Sequence, residues 1–105
     1  MKLQGKKLGL LLSTEPAHPN FAHGVRLAEA ALANGVEVYL YCIDEAVSGI
    51  SDPRIIQLKA RGVRLFACAY GAHKRNLPLN GEALFAGLTV VADLMADTDR
   101  FISFN

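Results

Sequence analysis

Only two cysteines occur in the 105 residues, Cys42 and Cys68, and they stand far apart. So few exclude the disulfide framework of a small secreted domain, and without a Cys-x-x-Cys pair there is no signature of structural zinc. Free thiols in a reducing compartment are the expectation. Long apolar runs are missing too: the stretch behind Lys6 and Lys7 extends only from Leu8 to Leu12, against the roughly 20 residues that a membrane helix requires. Ser13-Thr14-Glu15-Pro16 interrupts it before the apolar core of about 7 to 15 residues that a signal peptide needs is complete. A cytoplasmic protein with no membrane partner is therefore expected. Neither sign of charge dominates, since 11 basic and 10 acidic residues leave a formal charge of +1, too little to gather nucleic acid. The loop after the first apolar run lacks the glycines of a P-loop or dinucleotide fingerprint. Asp44 and Glu45 are adjacent acids with no further metal ligand placed beside them. No metal, nucleotide or other cofactor is expected.

What the chain does contain is apolar sequence in short, patterned segments. Its hydrophobic fraction is 51% and its charged fraction 20%, slightly apolar for a length that suits a single domain over residues 1–105. That surplus hints at a buried subunit contact. Lys7 to Leu12 is a short continuous run suited to a strand covered on both faces. Phe21, Val25, Ala28 and Leu32 then recur at helical spacing, with a start at Pro19-Asn20 and a stop at Asn34-Gly35. Val36 to Cys42, rich in β-branched and aromatic residues, reads as a second strand. Ser51-Asp52-Pro53 caps a helix over Arg54 to Ala60, closed by Arg61-Gly62, and Val63 to Ala67 forms a third strand. Beyond Cys68 a short helix extends towards Arg75, and Asn76 to Gly81 reads as loop. Gly87 and Leu88 suggest a minimal strand, Thr89 caps a helix running to about Asp97, and Phe101 to Phe104 closes the chain as a last strand. Alternation of strands with helices, with no internal repeat, predicts an α/β fold: a three-layer α/β/α sandwich around a mostly parallel sheet of about five strands.

Ligands of open parallel sheets bind outside the carboxyl ends of the strands. Three segments qualify: Ser13 to His18, Cys42 to Glu45, and Cys68 to Arg75. The third is the most chemically suggestive, because a cysteine that ends a strand and begins a helix meets backbone amides that favour its thiolate. Arg75 follows by seven positions, about two helical turns, and can add positive potential on the same side. His18 and, less directly, His23 offer proton transfer near neutral pH. Tyr70 offers a ring with a polar tip for a pocket or a subunit contact. Cys42 ends the neighbouring strand and is a candidate second thiol. For both cysteines the plainer reading is a small apolar residue in the core.

The segment Val63 to Arg75, VRLFACAYGAHKR, resembles the DsrE-like family of sulfur-relay proteins, in which a strand delivers a cysteine into Cys-x-x-x-x-x-x-Arg at a helix start. The opening strand with its Ser13-Thr14 loop, the helix ending in Asn34-Gly35-Val36-Glu37-Val38, and the closing Ala96-Asp97-Thr98-Asp99-Arg100-Phe101 segment follow the same layout. Two departures stand out: Asn76 occupies a place where many relatives have glycine, and the motif holds no second cysteine. The resemblance implies a sulfur carrier or sulfurtransferase whose Cys68 accepts sulfane sulfur as a persulfide and passes it to a partner thiol. Arg75, His18, Tyr70 and Ser13 would support it. Its partners would be sulfur donor and acceptor proteins or small sulfane-sulfur compounds, and the chain would form a homo-oligomer, whether dimer, trimer or hexamer. The alternative is a non-catalytic structural or small-molecule-binding subunit of a DsrE-like assembly.

Overall fold

A computed structural model describes residues 2–79 and 81–105. The elements follow in the order β1 (Lys7–Leu12), α1 (Pro19–Ala33), β2 (Glu37–Cys42), a 3-10 turn at Asp44–Gly49, α2 (Pro53–Ala60), β3 (Arg64–Cys68), α3 (Ala69–Lys74), β4 (Leu84–Ala86), α4 (Leu88–Asp97) and β5 (Arg100–Phe104). The strands form one sheet in the order β4-β3-β2-β1-β5. Every pairing is parallel, so the sheet is more uniform than the mostly parallel one expected.

Side chains alternate between faces along each strand, and this sorts the core into two layers. Leu8, Leu10 and Leu12 of β1, Val38, Leu40 and Cys42 of β2, and Leu65 and Ala67 of β3 join Phe21, Val25 and Ala28 of α1 and Ile55 and Leu58 of α2. The intervening residues Tyr41 and Cys68 point the other way, into a smaller cluster with Val47 of the 3-10 turn, Ala72 of α3 and Leu94 of α4. Helices thus cover both faces of the sheet, the larger core under α1 and α2 and the smaller under α3 and α4.

The helix-start signals read at Pro19-Asn20 and Ser51-Asp52-Pro53 operate, with adjustments. Asp52 accepts the Arg54 backbone N–H at 2.9 Å and caps α2, with Pro53 in its first turn. The α1 helix begins at Pro19, and its cap is His18, whose Nδ1 accepts the Asn20 N–H at 3.1 Å. Gly35 takes a φ of +77° directly after α1, the left-handed conformation expected of it.

Elsewhere the boundaries differ from expectation. The fourth strand lies at Leu84–Ala86, not at Gly87 and Leu88, because Leu84, Phe85 and Ala86 pair with Phe66, Ala67 and Cys68. Gly87 instead caps α4, which starts at Leu88, one residue ahead of Thr89. Three residues are too few for alternation to declare a strand. Within the expected loop of residues 76–81, Asn80 lies outside the described residues, while Asn76 takes a φ of +56°. Asparagine is among the few side chains that tolerate this left-handed region, so it substitutes for a glycine without breaking the turn.

The Asp52 carboxylate also receives the Arg54 side chain, Nε at 3.0 Å and Nη2 at 3.1 Å, and the same guanidinium reaches the Pro16 carbonyl at 2.9 Å. Hydrogen bonding from Arg54 holds the Asp52 carboxyl below its ordinary value. A carboxyl that is more acidic in the folded state stabilises the fold above its unfolded pKa, and loses that effect as pH falls through the folded value. Replacing Asp52→Ala should therefore cost about 1 kcal/mol at neutral pH. In urea titrations the gap from the native chain should begin to close once pH falls below about 4.

Candidate functional site

Strand β3 carries Arg64, Phe66 and Cys68 to one face of the sheet and stops at the cysteine, which caps α3. There Sγ accepts the Gly71 backbone N–H at 3.3 Å, as a serine hydroxyl would in an ordinary helix cap. Cys68 keeps 7% of its surface exposed, against 0% for Cys42.

The opposite end of α3 brings in Arg75. Its backbone N–H donates to the Gly71 and Ala72 carbonyls at 3.2 Å, and Nη1 curls back to the Gly71 carbonyl at 3.3 Å. Gly71 is thus the meeting point of the motif. A Cβ built there would lie 3.1 Å from Val47 Cγ2, 3.5 Å from Cys68 Cβ and 3.6 Å from Arg75 Nη1. With hydrogen in that place, the thiol, the guanidinium and the 3-10 turn close on one another. Cys68 and Arg75 thus both contact Gly71, and they sit at the two caps of α3, which spans only Ala69–Lys74.

Two residues that sequence reasoning passed over complete the surroundings. Tyr41 is fully buried, and its hydroxyl donates to the Ala86 carbonyl at 3.0 Å. Ala86 pairs with Cys68, and β3 lies between β2 and β4, so the ring crosses β3 beside the cysteine to reach its partner. Burial, and next the neighbouring Cys68, push the Tyr41 hydroxyl well above its ordinary pKa, so it keeps its proton at neutral pH and serves as a hydrogen-bond donor. Alternation was the available signal, since Tyr41 shares the parity that points away from Cys42.

Glu45 is the second. Asp44 adopts a φ of +52° and turns the chain sharply after β2, and the Glu45 carboxylate forms an ion pair with Arg75 Nη2. The acids at 44 and 45 do not form a pair with one another; Glu45 reaches a cation 30 residues away.

The remaining candidates lie apart from this cluster. Ser13 Oγ bonds Asn105 Oδ1 at 3.1 Å, at the β1–β5 side of the sheet, with β2 between it and β3. His18 is exposed and engaged as the α1 cap. Tyr70 is 71% exposed on α3. Cys42 points to the opposite face of the sheet from Cys68, into the core under α1 and α2, and burial pushes its thiol up to about 12. A groove of about 310 Å³ exists between α4 and the sheet, lined by Lys7, Tyr39, Phe66, Asp93 and Thr98. Cys68 is not among its lining residues. Among the described residues no group of three or more His, Cys, Asp or Glu side chains is arranged to hold a metal ion, and no helix is long and apolar enough to cross a membrane.

A five-stranded parallel sheet with helices on both faces and a cysteine-capped helix after the third strand defines an α/β protein. The chain belongs to the DsrE/DsrF-like family, which it matches over residues 6–104. Among solved structures, the ychN protein from E. coli is similar in fold, with a TM-score of 0.80 over 94% of this chain and 99% of that one, at 19% sequence identity. No curated protein matches the sequence.

The contrast between the two thiols has a measurable outcome. A serine at position 42 would bury a hydroxyl in an apolar layer, so Cys42→Ser should be less stable than Cys42→Ala by about 1 to 2 kcal/mol in chemical denaturation. In the native chain, alkylation mapped by peptide mass should leave Cys42 unmodified until the protein unfolds.

Proposed function

We propose that the protein is a sulfur carrier or sulfurtransferase of a sulfur-relay system in which Cys68 holds the transferred sulfur. The observation that carries this reading is the convergence at Gly71, where an amide N–H donates to Sγ and the Arg75 guanidinium stands beside the same residue. Membership of the DsrE/DsrF-like family supports it.

In the loading step the Cys68 thiolate attacks the outer sulfur of a sulfane-sulfur donor. A bond forms from Sγ to that sulfur, the donor's S–S bond breaks, and the electron pair leaves with the donor fragment. The sum is redox-neutral, and needs neither cofactor nor metal. In unloading, a partner thiolate attacks the outer sulfur of the persulfide and Cys68 leaves as thiolate. The Gly71 N–H and Arg75 stabilise negative charge on sulfur, and the Tyr41 hydroxyl, bonded to the Ala86 carbonyl, holds the neighbouring strand end in place. Cys42, on the far side of the sheet, takes no part, so release requires a thiol from outside the chain. Sulfur donor and acceptor proteins or small sulfane-sulfur compounds are the proposed partners, in a reducing cytoplasm that keeps both thiols free.

A second reading draws on the 7% exposure of Cys68: a non-catalytic subunit in which the cysteine is a core residue and α3 cap. Intact mass spectrometry after polysulfide exposure separates the two. The native chain and Cys42→Ala should gain a reductant-reversible increment of one sulfur, and Cys68→Ser should gain none while keeping its fold. A folded native chain that takes up no sulfur would leave the structural reading standing.

The proposal extends to a homo-oligomer. Tyr70, Leu79, Leu84, Leu88 and Met95 leave 59–71% of their surfaces exposed, a quantity of large apolar surface that association would cover. Sedimentation velocity should give a mass above the 11.3 kDa of one chain.

A further inference from the structure

The ion pair between Glu45 and Arg75 places a negative charge on the guanidinium that flanks the candidate sulfur-carrying residue. The two ends of the pair differ. The Arg75 side chain is 23% exposed and fixed at the Gly71 carbonyl, whereas Glu45 is 64% exposed and sits on the 3-10 turn after β2. Arg75 is thus the held partner and Glu45 the one that solvent, or an incoming anion, can displace.

We propose that Glu45 is a positioning and specificity residue. It occupies the anion-binding side of Arg75 in the resting protein, and it yields that side to the negatively charged group of an anionic sulfur donor approaching Cys68. This deepens the sulfur-carrier reading and rests on it for the identity of the cargo, though not for the electrostatics. Three observations converge: the Glu45 carboxylate bonds Nη2, Nη1 bonds the Gly71 carbonyl, and the Gly71 N–H bonds Sγ. A guanidinium offers a planar fork of donors suited to a two-oxygen or two-sulfur anion. With Glu45 in place the field of the guanidinium is opposed by the carboxylate at Nη2. With Glu45 displaced the field returns, so an anionic donor that competes successfully for Arg75 also restores the potential that favours its own attack by the thiolate. A neutral donor gains nothing from the exchange.

The test compares two alkylating probes of near-equal size, anionic iodoacetate and neutral iodoacetamide, on the full chain. In both reactions the Cys68 thiol loses its proton to buffer, an S–C bond forms, the C–I bond breaks and iodide leaves. The readout is the ratio of the two rates at Cys68, followed by peptide mass, in the native chain, Glu45→Gln, Arg75→Gln and the double variant, with folding checked by circular dichroism. Glutamine keeps a hydrogen-bond acceptor for Arg75 while removing the charge. Glu45→Gln should raise the iodoacetate-to-iodoacetamide ratio about threefold or more at low ionic strength, the effect of one unscreened charge several ångströms away, and should lose most of that gain in 1 M salt. In the Arg75→Gln background the Glu45 substitution should raise the ratio clearly less, because it removes one repelling charge but uncovers no guanidinium.

Equal acceleration by both probes would overturn the proposal and leave Glu45 a structural clamp between the 3-10 turn and α3. A rise of equal size without Arg75 would also overturn it, because Glu45 would then act through its own charge alone. Failure of every variant to label at Cys68 would overturn it as well. Sulfur uptake, measured separately by intact mass, distinguishes the two levels: a shifted ratio without uptake retires the carrier reading alone, and uptake without a shifted ratio retires the role of Glu45 alone.

Discussion

Side-chain alternation along three neighbouring parallel strands is the constraint from which the site follows. Because Cys42 and Ala67 are paired in register, Cys68 falls one residue beyond that pair and must face the other way. The same parity sends Tyr41 to the side of Cys68 and sinks Cys42 beneath α1 and α2. A slip of one residue between β2 and β3 would exchange these roles, and with them the fate of every side chain on both faces. The buried layers on either side of the sheet forbid that slip, so the chemistry of the thiol is protected by packing remote from it.

Around this frame, α3 is less a covering helix than a spacer. Its six residues separate a sulfur at one cap from a guanidinium at the other, and its third residue, Gly71, serves both: the amide towards Cys68 and the carbonyl towards Arg75. Proximity arises from the arginine folding back over a single helical turn. The 3-10 turn after β2 then closes the arrangement from the neighbouring strand end, with Val47 packed against Gly71 and Glu45 on Arg75.

Much of this was legible in the sequence, for reasons that also explain what was not. The strands β1, β2 and β3 announced themselves because strands covered on both faces are nearly continuous in apolar residues, and α1 and α2 carried periodicity together with local caps. Cys68 and Arg75 were found because they lie in one short segment. Tyr41 was missed, and Glu45 was weighed only beside Asp44, because their contacts are tertiary: one reaches across a strand to Ala86, and the other is aimed by the left-handed Asp44 at a residue 30 positions away. Spacing within a segment cannot register either. Proximity to a strand end was likewise too generous a criterion for Ser13 and His18, since the end of β1 is separated from that of β3 by a whole strand. The three-residue β4 escaped detection because its identity comes from pairing, not pattern.

That short strand has a consequence for access. β4 is at the sheet edge, paired on one side only, with Leu84 62% exposed, and such edges are where local opening costs least. Yet its last residue is both the ladder partner of Cys68 and the acceptor of the Tyr41 hydroxyl. Fraying of the edge would therefore free the Tyr41 hydroxyl and the backbone of Cys68 together, linking the least anchored strand of the sheet to the end of β3.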